Sequence, residues 1–360
     1  MQQTASSKIS PLATRRSKAR LAWIGQVFLG ILALLVLYLV VKNLVQKPTL
    51  FIQIVASGLQ LGFVYAMIAL GYTMVYGIVK LINFAHGDVF MAGAFTSYFA
   101  VSQFSLHEWP LAVFPGISPT LAVLIGSLTV ILLAMLVCVL LAVTIERVAY
   151  KPLRDAPRIA ALITAIGVSF FLEYYSALPV VFTSNYVTYV RPFEVQFWEP
   201  GGVKVSSIMV ITVVTAIAAL LLLQWIVSYT KMGKAMRASS YDKPTARLMG
   251  INVDGVITFT FAVGAALAGV AAVLYAIAYP QIWNFMGIWP GLKAFVAAVL
   301  GGIGSIPGAF VGGLIMGQVE VLSAAYISSP MRDAIAFTVL ILVLLVRPQG
   351  IFGEPEREKA

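Results

Sequence analysis

Long apolar runs separated by short polar breaks make up nearly the whole of this chain. A helix needs about 20 apolar residues to cross a bilayer. Runs of that order recur at 21–41, 51–79, 89–104, 120–143, 159–181, 206–229, 256–279, 309–326 and 334–346. A tenth segment, 292–300, is too short to span comfortably, and the string GGIGSIPG at 301–308 separates it from the next. Strands of a membrane barrel would alternate apolar and polar positions over about ten residues, whereas these runs are continuous. The pattern predicts an all-α polytopic membrane protein with about ten transmembrane segments, hydropathy allowing eight to ten.

The breaks set the orientation. Most of the 24 lysines and arginines fall in 1–20, 80–88, 144–158, 231–254 and 347–360, all on one side of this arrangement. The opposite breaks, including 182–204 and 281–289, are aromatic and poor in basic residues. By the positive-inside rule the basic side is cytoplasmic, which places both termini there. The run 21–41 is too long for a signal-peptide core and lacks a convincing small-residue cleavage site, so it reads as an uncleaved first span. The expected organisation is a cytoplasmic tail (1–20), a transmembrane domain (21–346) and a second cytoplasmic tail (347–360).

The break at 231–254, KMGKAMRASSYDKPTARLMGINVD, reads as short helical pieces. Asp242 suits an N-cap, Pro244 a first turn, and Gly250 a stop after 245–249. Asn252 or Asp254 can cap the next apolar segment. Basic helices at a cytoplasmic membrane surface either rest on lipid headgroups or dock a soluble partner.

Composition adds exclusions. Hydrophobic residues are 60% of the chain and charged ones 11%, against roughly 25% charged in soluble domains. The net charge of +10 follows from the one-sided bias and does not point to nucleic acid. Cys138 is the single cysteine, and His86 and His107 are too far apart in sequence for a zinc motif. A phosphate-binding loop is not visible: Gly233-Lys234-Ala235 lacks both the leading glycine and the hydroxyl. If ATP drives this protein, another polypeptide hydrolyses it.

Three sets of residues carry candidate chemistry. INFAHGD at 82–88 suggests His86 as a base with Asp88 as its orienter. Residues two apart do not face each other on a helix, and no nucleophile motif accompanies them. The favoured reading is a capped turn: Asn83 or His86 bonds free backbone groups, Gly87 supplies freedom and Asp88 caps the following helix. Glu173, Lys293 and Glu320 lie within apolar segments, where an unpaired charge costs roughly 2.5–3.5 kcal/mol. Lys293 therefore calls for a carboxylate, with Glu320 the expected partner. Such residues either line a solute path or fix helix register. Third, Gly301, Gly302, Gly304, Pro307 and Gly308 break the helix; close packing explains such glycines, and a gating role is open.

Blocks 51–181 and 256–346 each hold about four segments and start from opposite sides of the membrane. Asn83-Phe84 and Asn284-Phe285 lie near the first turn of each, as an inverted repeat would place them.

Five strings, LINFAHGDVFMAGAF, KPLRDAPRIAALITAIGVSFFLE, MRASSYDKPTARLMGI, LKAFVAAVLGGIGSIPGAFVGGLIMGQVE and LLVRPQGIFG, resemble the inner-membrane permeases of branched-chain amino-acid ABC importers. The likeness is closer to the LivH type than to its LivM partner and runs in register from about 51 to 353. It implies a transport subunit rather than an enzyme, with no cofactor bound by this chain. The implied partners are a LivM-type permease, two cytoplasmic ATPases that use the ATP, and an extracytoplasmic solute-binding protein, in a bacterial or archaeal cytoplasmic membrane. It also places the ATPase-coupling loop at 231–254, with Arg237, Ser239, Asp242, Ala246, Arg247 and Gly250 as its candidate residues. ABC importers often show Glu-Ala-Ala, three residues, then Gly. Here Ala246 and Gly250 keep the last spacing, while Pro244 and Thr245 replace Glu and Ala. The readings to weigh against it are a urea or short-amide permease, an ion-coupled secondary transporter and an intramembrane enzyme built on His86 and Asp88.

Overall fold

The computed structural model describes residues 38, 41–42, 44–114, 116–154 and 156–353. The basic stretch 1–20, almost all of the expected first span, and 354–360 lie outside the described residues. The helices are α1 (Pro48–Val79), α2 (His86–Tyr98), α3 (Trp109–Val113), α4 (Pro119–Ile145), α5 (Arg158–Ser176), α6 (Ser207–Tyr229), α7 (Lys231–Tyr241) and α8 (Lys243–Leu248). They continue with α9 (Val253–Ala278), α10 (Ile288–Gly301), α11 (Ile306–Tyr326) and α12 (Arg332–Val346). A wide turn, Phe99–Gln103, prolongs α2, and another, Glu146–Tyr150, prolongs α4. Among the described residues, six helical stretches are long and apolar enough to cross a membrane, those of α1, α4, α5, α6, α9 and α11. The chain is a polytopic α-helical membrane protein.

Helix starts follow local chemistry. Ser118, Ser206, Thr230, Asp242, Asn252 and Ser305 each accept a backbone N–H at the start of α4, α6, α7, α8, α9 and α11, which satisfies donors the helix cannot use internally.

The centre of the bundle is α1, packed against α11, α9 and α10; α9 also packs on α4 and α2. Two glycine pairs at i, i+4 spacing bring α1 and α11 together: Gly58 and Gly62 face Gly313 and Gly317. A Cβ on Gly62 would sit 2.9 Å from the Leu314 Cα, and one on Gly317 would overlap the Gly62 backbone. Small residues allow such close backbone approach in membranes.

The polar stretch 80–88, expected as a capped turn, folds into the bundle. After α1 ends at a left-handed Lys80 (φ 61°), the chain turns inward, and α2 begins at His86 with Asn83, His86 and Asp88 all buried. On the opposite side, the chain after α9 also enters the bundle before α10 begins. Gly87 and Gly287, at the starts of these two short helices, touch backbone to backbone. From there they lead to opposite ends. Phe95 and Phe99 of α2 stack on Phe182 of the 182–204 loop, while beyond α10 Gly304 lies beside Gly77 near the end of α1. Starting inside explains why 292–300 is too short to span.

Two strand pairs fasten the loops at the α2 end. β1 (Val187–Thr188) pairs antiparallel with β4 (Gln281–Ile282), and β2 (Phe197–Trp198) with β3 (Val205–Ser206). Arg191 Nε donates to the Ile277 carbonyl at 2.9 Å, adding a tie to the end of α9.

Candidate functional site

The helices α7 and α8 form an elbow beside the bundle. Thr230 Oγ1 accepts the Gly233 N–H at 3.0 Å. Asp242 accepts from the Thr245 N–H at 3.3 Å and from its hydroxyl at 2.8 Å. Pro244 lies in the first turn of α8. Gly250 stops α8 in a left-handed conformation, φ 80°, with open space around its Cα. Ala246 packs inward. Ser239 is buried, and its hydroxyl has no hydrogen-bond partner among the described residues. Arg237 reaches back to the Val227 carbonyl. Tyr241, Leu248 and Met249 are exposed to 86%, 87% and 78%, an apolar tip on an otherwise basic element.

The elbow is fastened at its root. Lys243 Nζ donates to the Val79 carbonyl at the end of α1, at 3.1 Å. Partial burial, followed by the neighbouring charges of Arg154, Lys80 and Arg247, lowers the Lys243 pKa below its usual value. Arg154 lies between Glu146, whose side chain has no exposed surface, and Asp254 at the start of α9. Glu146 also accepts from the Thr258 hydroxyl at 2.9 Å. Lys151 and Arg247 approach Asp254 at 3.7 and 3.5 Å. One cluster thus joins the foot of α4, the start of α9 and the end of α8.

The meeting point of α2 and α10 holds a second group. The Asn83 side-chain oxygen accepts from the Tyr150 hydroxyl at 2.7 Å. His86 packs edge-on against the Tyr72 ring at 4.6 Å. Asp88 accepts from the Ser169 hydroxyl at 2.5 Å. It therefore does not cap α2; the N-cap position is Ala85, without a side-chain bond. The turn is present, with the His86 N–H donating to the Asn83 carbonyl at 3.1 Å, but its polar side chains are buried and Asp88 is not its cap. Asp88, Ser169 and Glu173 line a cavity of about 190 Å³ whose other walls are largely apolar, among them Phe84, Leu292 and Phe295.

Lys293 and Glu320 meet at 2.7 Å, both buried. Lys293 also contacts Asp333 at 2.8 Å, and the Tyr65 hydroxyl donates to Glu320 at 2.8 Å. The glycine break turns α10 tightly into α11. Gly302 and Gly304 adopt positive φ, and Pro307 lies in the first turn of α11. Gly301 and Gly308 lie backbone to backbone. The following tail closes it: the N–H groups of Ile351 and Phe352 donate to the carbonyls of Leu300 and Gly301 at 2.9 and 2.8 Å. Among the described residues, no group of three or more His, Cys, Asp or Glu side chains could hold a metal ion.

The family described as "Branched-chain amino acid transport system / permease component" matches residues 54–344. The chain belongs to this family. The permease is similar to the high-affinity branched-chain amino acid transport system permease protein LivH of Salmonella typhimurium, 42% identical over 86% of this chain and 97% of that protein. LivH of Escherichia coli matches at the same identity and coverage. BraD of Pseudomonas aeruginosa is 40% identical over 86% of this chain and 98% of its own.

In the permease, the structure brings the candidate residues together in three places rather than one. Arg237, Ser239, Asp242, Ala246, Arg247 and Gly250 belong to the elbow. Asn83, His86, Asp88 and Glu173 surround the α2–α10 meeting point. Lys293 and Glu320 form a cluster near the start of α12. Sequence reasoning placed Arg154 in a basic break and Asp254 at a helix start without pairing them, and it missed Glu146 at the elbow's root and Arg332 and Asp333 beside Lys293. Glu146 carried a usable signal, as an acid placed directly before Arg147 in a basic break.

Proposed function

We propose that this permease is the membrane-spanning subunit of an ATP-binding cassette importer for branched-chain amino acids, working by alternating access without covalent chemistry. The substrate class rests on the relatives' names. The observation that carries the coupling role is the elbow α7–α8. It offers an exposed apolar tip on a basic element, a surface suited to docking against a partner protein. The fastening of its root to α1, α4 and α9 gives a movement of the tip a rigid route into the bundle core. With no phosphate-binding loop in the sequence, the ATPases are separate chains that dock here, on the cytoplasmic side, where both termini also lie. A second, LivM-type permease and an extracytoplasmic binding protein complete the assembly in the cytoplasmic membrane.

Uptake of labelled leucine into proteoliposomes holding the whole assembly tests this. Uptake is expected to require ATP, both ATPases and the binding protein, and to survive dissipation of ion gradients. Uptake that persists without the ATPases and collapses with an ionophore would replace the proposal with ion-coupled transport.

A further inference from the structure

We propose that the cavity beside Lys293 recognises the head group of a zwitterionic α-amino acid, Arg332 taking the carboxylate and Asp333 the ammonium group. The proposal rests on the import function above and names where the permease itself would read the substrate. The cavity measures about 360 Å³, within the range of small-molecule sites. Its charged wall holds two cations, Lys293 and Arg332, and two carboxylates, Glu320 and Asp333. That balance suits a ligand carrying one charge of each sign and no net charge.

The four groups are not equally engaged. Lys293 contacts Glu320 at 2.7 Å and Asp333 at 2.8 Å, and Tyr65 donates to the other oxygen of Glu320. Lys293 and Glu320 are therefore spent on each other and on Tyr65, and Lys293 also holds the Oδ1 of Asp333. Arg332 differs. Its nearest carboxylate contacts, to Glu320 and Asp333, are both 3.6 Å, and its side chain makes no hydrogen bond among the described residues. A guanidinium carries five donors in a fork that matches a carboxylate, and this one lines the cavity while 48% exposed. Asp333 is also partly exposed. Had the cluster served only to fix helix register, Arg332 would close onto a carboxylate at hydrogen-bond distance.

The remaining wall suits the rest of such a ligand. Tyr275, Tyr279, Trp283 and Trp289 present aromatic surface, with Leu61 and Met286 beside them. Ring faces attract an ammonium group, and the apolar side chains accept a branched aliphatic one. The cavity at the α2–α10 meeting point is lined by carboxylates and by no cation. It could read only half of a zwitterion.

The test uses the complete transporter in nanodiscs, without the binding protein, and measures binding of labelled L-leucine by scintillation proximity. Competition by 4-methylpentanoate, which lacks the ammonium group, and by 3-methylbutylamine, which lacks the carboxylate, is compared with competition by leucine. Each analogue is expected to compete roughly ten-fold more weakly or worse. Arg332→Gln should weaken leucine by a similar factor while leaving 3-methylbutylamine unchanged. Analogues that match leucine, or an Arg332→Gln protein that binds leucine normally, would overturn the site. If that variant fails to assemble, the analogue series on the unaltered protein decides alone. ATP-driven uptake is measured on the same purified transporter reconstituted into proteoliposomes with the binding protein added. Uptake without leucine binding overturns the site alone; discrimination between the analogues without uptake supports the site and removes the import function.

Discussion

Replacing Arg154 by Met tests the cluster at the root of the elbow. The guanidinium, 17% exposed, bridges a fully buried Glu146 and a half-exposed Asp254. Removing one member of a buried pair leaves the other charge uncompensated and costs about 3–5 kcal/mol. Thr258 still donates to Glu146, which offsets part of the loss, so about 3 kcal/mol is expected. Arg154→Met combined with Glu146→Leu removes both charges together and should recover most of the stability, because apolar replacement of a buried pair is often neutral. The two single changes should then be non-additive by more than about 1.5 kcal/mol. Equilibrium unfolding in mixed micelles, followed by circular dichroism, measures all three variants. A loss below about 1 kcal/mol that simply adds to the Glu146→Leu loss would mean a solvated surface arginine, and the rigid route from elbow to core would fall with it.

Gly317→Ala should push α1 from α11 and destabilise by about 2 kcal/mol or more in the same unfolding assay. Gly167→Ala on α5, where a Cβ meets nothing within 4 Å, should be neutral or stabilising by up to about 1 kcal/mol. Gly250→Trp places a large side chain in open space at the elbow, with only the left-handed backbone, worth about 1–2 kcal/mol, against it. The permease should insert, the ATPases should turn over, and leucine moved per ATP hydrolysed should fall; normal uptake would count against docking there. Lys243 has its pKa lowered by burial and neighbouring cations, so its charged form is disfavoured in the fold. Relative to Lys243→Met, the wild type should gain stability as pH rises from that lowered value towards the ordinary 10.5. A flat difference across that alkaline window would refute the burial effect.

What was legible in the sequence was local or enforced by cost. Asp242, Pro244, Gly250 and Asn252 delimit α8 and start α9 through bonds spanning three or four residues, so their types were enough. Lys293 and Glu320 were legible because a buried lysine cannot stand alone among apolar helices. The inward start of α2 was not. Asn83, His86 and Asp88 look like a surface turn because their partners, Tyr150, Tyr72 and Ser169, come from other segments of the chain. Arg154 was hidden for the same reason: it lies beside a helix boundary, and folding brings Glu146 and Asp254 to it. The glycines of α1 and α11 signalled close packing, but not which helix would meet which.

The closure of α10 by residues 351 and 352 has a consequence for how the protein is made. Those N–H groups leave the ribosome only after α11 and α12 have been synthesised, so the carbonyls of Leu300 and Gly301 wait through the insertion of two further helices. The tail is then the clasp that completes the half-helix. A stop or fusion junction placed before Ile351 would leave the clasp unfastened, whereas one placed after Phe352 would keep both donors.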